Sequence, residues 1–265
     1  MALNMTEGAA TRAKLAQEIV NAECDSASEA LPPAHELAEL RLLHLADSAL
    51  PIGALAHSFG LESLTSCEML TTRDLPDFLQ SYLEEAGMME AVFCRGAFRL
   101  PSATKMENDF VAQWLALNDQ LSARKPARES RAGSASLGGN FLLVVLSLAD
   151  LPLARAALDG SKRSTGLVHH STAFGLACSL LGFEEDRVIL VYLHQIVASL
   201  VSSCQRLLPL GQFEAARILW NLKPAIIDAA NRSAGCALDD ACCFVPLLDW
   251  GAMEHPALST RLFIS

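Results

Sequence analysis

Between Leu75 and Leu100 apolar side chains recur every three or four residues: Leu75, Phe78, Leu79, Tyr82, Leu83, Ala86, Phe93, Ala97 and Leu100. Residues at that spacing share one face of an α-helix. The spacing therefore predicts an amphipathic helix over 74–100. Thr71 and Asp74 resemble a capping pair at its start, and Pro101 is expected to stop it.

The same period recurs along the chain. Leu37, Leu40, Leu43 and Leu45 predict a helix running to about Leu50, and Phe110, Trp114, Leu117 and Leu121 another over 107–121. The small residues Ala173, Gly175, Ala177 and Ser179 permit close helix contact within 166–183. A long helix is expected over 187–208. The next, 212–231, should kink or split at Pro224. The apolar run 141–149 could be a strand or a buried helix. It has no strand-like partner nearby, so helix is favoured. Ala and Leu dominate the composition and only 6% of residues are aromatic. Those are helix-forming residues, so the expected fold is all-α, a single-domain bundle of roughly eight to ten helices over 37–265. Residues 1–36 are rich in Ala, Ser and Glu and end at Pro32-Pro33. They predict a poorly ordered acidic extension, with at most a short helix around 11–23.

Charge and composition exclude several function classes. The net charge is −10, and the one basic cluster (Arg124, Lys125, Arg128, Arg131) lacks interleaved aromatics, which argues against nucleic acid. The charge-free run 188–205 is the one stretch considered as a membrane span. His194 and Gln195 at its centre favour a buried soluble helix. Eight cysteines in a long chain without a secretory signal predict reduced, mostly buried thiols and a cytoplasmic protein. A hydrophobic share of 51% against 19% charged implies that a partner covers part of the surface.

Candidate chemistry concentrates in "LADSALPIGALAHSFGLE", residues 45–62, with Asp47, Ser48, His57 and Ser58 inside an apolar run. Pro51 and Gly53 mark a corner, and a second helix is expected from about Ala54 to before Thr71. A serine hydrolase would use Ser58 and His57, but "AHSFG" lacks the first glycine of a nucleophile elbow and follows no strand. The polar residues read better as capping and packing groups. No phosphate-binding loop is present. The weak metal candidates are His57, His169 and His170. They lack zinc-type spacing, and the adjacent Cys242 and Cys243 diverge on a helix, so no stable metal site is expected. Arg206 reads either as an exposed charge at a helix C-terminus or as an interface arginine.

Residues Leu45–Gly53, then His57-Ser58 and Gly60-Leu61-Glu62, resemble the N-terminal signature of the urease accessory protein UreF family. Three further blocks agree in order. One is "LND" at 117–119 followed by "RESRAGSASLGGNFL". Another is Ala173-Phe174-Gly175 after His170, together with "CQRLLPLGQFEAARIL" at 204–219. The last is the ending "MEHPALSTRLFIS". The likeness covers roughly residues 37 to 265 and leaves out residues 1–36. Two departures stand out: Ala54-Leu55 follow Gly53 where the family often has Gly-Phe, and section 235–250 with Cys236, Cys242 and Cys243 matches nothing in the pattern.

The resemblance implies an all-α, dimerising, non-enzymatic assembly chaperone. Such a protein binds a UreD/UreH-type partner, and that complex recruits a UreG-type GTPase to apo-urease for nickel insertion. Nickel is then transient cargo rather than a resident cofactor. The partner-binding residues implied are His57, Ser58, Glu62, Arg206, Pro209, Gly211 and Gln212, with Arg261, Leu262 and Phe263 in a C-terminal docking tail. A helical nickel-binding protein and a serine hydrolase using Ser58 and His57 are the alternatives.

Overall fold

The structure, a computed structural model, describes residues 34–264. Among the described residues there is no strand, and the helices run in sequence with short connections. They are α1 (Ala34–Leu45), α2 (Leu61–Ser66), α3 (Leu75–Tyr82), α4 (Met88–Ala103), α5 (Glu107–Ala123) and α6 (Arg128–Leu148). Then follow α7 (Pro152–Ser164), α8 (His170–Leu180), α9 (Glu185–Leu207), α10 (Gln212–Asn221), α11 (Lys223–Ala234) and α12 (Pro246–Glu254). Single 3-10 turns occur at Ala54–Ala56 and His255–Ala257. The all-α expectation holds. α3 runs into α4 through a π-turn at Leu83–Gly87, and α10 abuts α11, so among the described residues the helices number ten once each joined pair counts as one.

The chain falls into two units, one ending at Leu40 and one running from Arg41. In the first, His35 and Glu39 pair one turn apart, 3.6 Å between Nε2 and Oε1. The expected helix around 11–23, and all of the N-terminal extension up to residue 33, lie outside the described residues.

The second unit is built around α4 and α8. A Cβ placed on Gly175 would sit 2.1 Å from the Cys94 carbonyl oxygen, so the two backbones touch where a side chain would hold them apart. The small-residue stripe thus acts as the sequence predicted. Trp114, Tyr192, Phe93, Phe110, Phe141 and Phe174 fill the interior around this contact. Each large apolar side chain removed from water contributes about 1.5–3 kcal/mol.

Two polar side chains buried among them tie helices together. The indole of Trp114 donates to Ser161 Oγ at 3.0 Å and ties α5 to α7. Arg95 on α4 donates to Glu185 Oε1 at 2.8 Å, Ser233 Oγ at 2.9 Å and the Ala230 carbonyl at 3.1 Å. One guanidinium thereby joins α4, the start of α9 and α11. A buried cation is tolerable only when its hydrogen bonds and charge are both met, and here they are.

Several boundaries differ from expectation. α1 stops at Leu45, five residues early, because the backbone winds into successive turns through Leu50. The expected helix from Ala54 reduces to one 3-10 turn and the short α2. Pro101 does not stop α4; it occupies the last turn, and Thr104 closes that turn by donating to the Leu100 carbonyl at 2.9 Å. The run 141–149 is helical, as favoured, and forms the end of α6. Pro224 sits in the first turn of α11, just after the split at Leu222. Among the described residues two helices, α6 and α9, are long and apolar enough to cross a membrane, where the sequence reading found one. Both pack against α8 inside the bundle.

Candidate functional site

The corner at 47–60 is set by local backbone chemistry. Asp47 Oδ1 accepts the Ala49 N–H at 2.8 Å, a side chain mimicking a turn. Gly53 follows Pro51 and Ile52 with φ of 86°, a left-handed conformation that glycine adopts without penalty. Asn140 on α6 pins the corner by donating to the Ile52 carbonyl at 3.1 Å. Phe59 and Gly60 are both left-handed, at 52° and 95°. This reversal turns the chain into α2 and aims Glu62 inward.

Gly60 also marks a crossing. A Cβ there would lie 2.7 Å from both Ala252 N and the Leu248 carbonyl oxygen, and one on Gly251 would lie 2.6 Å from the Gly60 carbonyl oxygen. α12 therefore rests glycine to glycine on the start of α2. The crossing carries the C-terminal residues across the corner.

Glu62, buried to 3% exposure, is the acceptor at the centre. Its Oε1 accepts the Leu262 N–H at 2.6 Å, and its Oε2 accepts the Phe263 N–H at 3.1 Å. His255, fully buried, places Nε2 2.9 Å from Glu62 Oε2 and Nδ1 2.7 Å from Glu129 Oε2 at the start of α6. The Ile264 N–H donates to the Ala56 carbonyl at 2.8 Å. Arg206, near the end of α9, donates to the Leu55 carbonyl at 2.7 Å and lies over the Phe263 ring at 4.1 Å. Phe263 is buried, while Leu262 and Ile264 on either side are each 70% exposed. The tail thus lies on the 54–62 segment with one side chain in and two out.

Beneath this region is a cavity of ≈ 360 Å³. Its walls come from the corner, α9 and α12, and Glu90, Lys125, His170 and Tyr192 line it. Burial alone would raise the Glu90 carboxyl, but the charge of Lys125 and its hydrogen bond hold it below the ordinary range. His169 and His170 are both pushed down to about 4 by burial, and the nearby Lys125 charge adds to the effect at His169. His169 is bracketed by two hydroxyls, Ser122 Oγ at 2.7 Å and Ser134 Oγ at 3.1 Å. His170 stands among Phe141, Phe174 and Tyr192, with Nε2 lacking a hydrogen-bond partner.

With this geometry, relatives are informative. The UreF family model matches residues 69–223. A protein named urease accessory protein UreF from Corynebacterium glutamicum (strain R) is 33% identical over 230 residues, 86% of this chain and 98% of its own length. Proteins of the same name from Bradyrhizobium sp. (strain ORS 278) and Actinobacillus pleuropneumoniae are 29% and 27% identical, over 87% and 84% of this chain and 93% and 97% of their own lengths. The chain belongs to the UreF family. Membership places it among accessory proteins, not enzymes.

Within this UreF-family chain the sequence-predicted site residues separate into groups. His57, Ser58 and Glu62 are buried. Arg206, Arg261 and Leu262 are exposed and cluster with Phe263 at the tail. Pro209, Gly211 and Gln212 are exposed at the α9–α10 turn. The hydrolase alternative fails on geometry. Ser58 Oγ is fully buried and has no hydrogen-bond partner, so no base activates it. His57 and Ser58 do not lie in the helix expected from Ala54; they sit in the connection between the 3-10 turn and the Phe59–Gly60 reversal. Among the described residues no three His, Cys, Asp or Glu side chains converge as metal ligands. Both nitrogens of His169 are taken by serines. Of the seven described cysteines, Cys94, Cys178 and Cys204 are buried and none is disulfide-bonded. That is fewer buried than expected.

The section 235–250 with no counterpart in the UreF pattern is held by Arg124. That side chain donates to the Ala241 carbonyl at 2.8 Å and the Leu238 carbonyl at 3.1 Å. Sequence reasoning missed His255, Glu129 and Asn118 as site residues. Asn118 Oδ1 accepts from the His169 backbone at 2.9 Å and the Thr172 hydroxyl at 2.7 Å, which joins two of the motif blocks. The available signal was that all three fall inside blocks that carry the family resemblance.

Proposed function

We propose that this chain is an assembly chaperone in urease maturation. It bridges a UreD/UreH-type accessory protein and a nickel-carrying UreG-type GTPase to apo-urease in the cytoplasm. The observation that carries the reading is the docked tail. Leu262 and Ile264 point outward beside Leu55, itself 47% exposed, and Arg261 and Arg206 flank them. Exposed aliphatic and arginine side chains on an anchored backbone are what a partner recognises.

Self-association is supported by a second surface. Phe213 and Trp220 on α10 are 94% and 75% exposed, next to a half-exposed face of α9 carrying Ala198, Ser202 and Gln205. Nickel passes in this reading as cargo of the complex, with no resident metal on this chain.

The test is a pull-down of the full chain with a UreD-type partner, a UreG-type GTPase and apo-urease, with and without GTP. A chain ending before Cys236 should stay helical by circular dichroism and lose the UreD-type partner. Capture at unchanged yield by the truncated chain would refute tail docking. Stoichiometric nickel retention by the isolated chain in equilibrium dialysis would favour a nickel-binding protein instead.

A further inference from the structure

From Gly235 to Ile264 only five residues are buried: Ala241, Gly251, Ala252, His255 and Phe263. Three of them are Ala or Gly, so Phe263 is the one fully buried large apolar side chain in this segment, with Leu238, Val245, Leu247, Leu248 and Leu258 half-buried. The remaining buried side chain is an imidazole held between two carboxylates. A segment fastened by so little apolar surface sits at the low end of local stability. What fixes its place is polar and specific. Glu62 receives three hydrogen bonds from the segment, and Glu129 receives a fourth.

Each ring nitrogen of His255 meets a carboxylate oxygen, Nε2 that of Glu62 and Nδ1 that of Glu129. The cluster joins three elements: α2 through Glu62, α6 through Glu129 and the C-terminal segment through His255. Removing any one member leaves a buried polar group unpaired, which costs more than the bond itself. The same segment walls the cavity: Leu248 and Asp249 lie on α12, with Cys243 and Val245 just before it.

We infer that residues 246–264 form a latched strap, closed over the cavity by the Glu62–His255–Glu129 cluster, which opens as a unit while the α4–α8 core stays folded. Glu62, His255 and Glu129 are positioning residues: they act through the tail they hold. The inference rests on the tail-docking reading only for its purpose, which is to control when the docking face is presented.

The experiment is hydrogen exchange with mass spectrometry on the full chain, alongside iodoacetamide labelling of Cys243 followed by peptide mapping. In Glu62→Gln, an amide N–H₂ replaces one accepting oxygen. Exchange in peptides covering 255–264 should rise about 10- to 100-fold, the scale of one or two lost charged hydrogen bonds. Cys243 labelling should accelerate with it, and α4 and α8 should keep their protection. Glu129→Gln, at the outer end of the cluster, should give a smaller rise, and the double variant should exceed Glu62→Gln only slightly because both act on one histidine. It also keeps the test open should Glu62→Gln fail to fold. Unchanged exchange in 255–264 in both variants would overturn the latch. An equal rise across strap and core would overturn separate opening. Capture of a UreD-type partner is measured on the same proteins. Faster strap exchange with undiminished capture leaves the latch standing and removes tail docking.

Discussion

The buried histidines give this fold a dependence on pH that can be worked out in advance. His169 and His170 ionise near 6.5 in the unfolded chain and at about 4 in the fold, because burial opposes the charged ring. As pH falls through 6.5 the unfolded state takes up protons that the folded state refuses. Their contribution to stability is therefore complete above pH 7, is lost as pH falls from 6.5 toward 4, and changes no further below 4. Between pH 7.5 and 5 each histidine should cost about 2 kcal/mol by proton linkage. Urea unfolding followed by circular dichroism at pH 7.5, 6.5, 5.5 and 5 measures the slope. His170→Phe isolates one contribution. The ring sits among Phe141, Phe174 and Tyr192 with Nε2 unpartnered, so phenylalanine should be tolerated at pH 7.5. It should remove about 2 kcal/mol of the loss seen at pH 5. A His170→Phe protein with the wild-type pH slope would refute the assignment of that loss to a buried neutral imidazole.

Three further outcomes follow from the geometry. Gly175→Ala forces a methyl to 2.1 Å from the Cys94 carbonyl oxygen, so α4 and α8 must separate, and the urea midpoint should fall by the equivalent of about 3 kcal/mol or more. Arg206→Ala removes the cation over Phe263 and the bond to Leu55. It should raise exchange at 262–264 about tenfold, weaken self-association or partner capture, and leave the unfolding midpoint unchanged. Gly60→Ala meets the α12 backbone at 2.7 Å as well as a left-handed φ, so it should free the C-terminal segment and speed trypsin cleavage at Arg261.

The helices were legible because their signal is local. Apolar residues from Leu75 to Leu100 share a face whatever they pack against, and the small residues around Gly175 announce a close contact without naming the partner, Cys94. The corner was half legible: Pro51 and Gly53 mark a turn, but the positive φ at Phe59 has no residue-type signature and split the expected helix from Ala54 into one 3-10 turn and the short α2. The clasp could not be read from spacing. Glu62 and His255 are 193 positions apart, and only the glycine crossing of α12 over Gly60 brings them within 2.9 Å. Each lay inside a family block, so the resemblance flagged the neighbourhoods while the contact itself needed the fold. Pro101 shows the reverse error. A proline in the last turn loses one hydrogen bond at most, and the turn closes through Thr104 instead.

The central claim is a role in urease maturation through the docked tail, and it is tested most directly by complementation. Cells carrying a urease operon without its own UreF-family gene are supplied with this chain, with Glu62→Gln, or with the chain ending before Cys236, and urease activity and nickel per urease are measured at equal expression. The full chain should restore both, the truncated chain neither, and Glu62→Gln should fall between them. Full restoration by the truncated chain, or none by the full chain with its cognate partners present, would contradict the account.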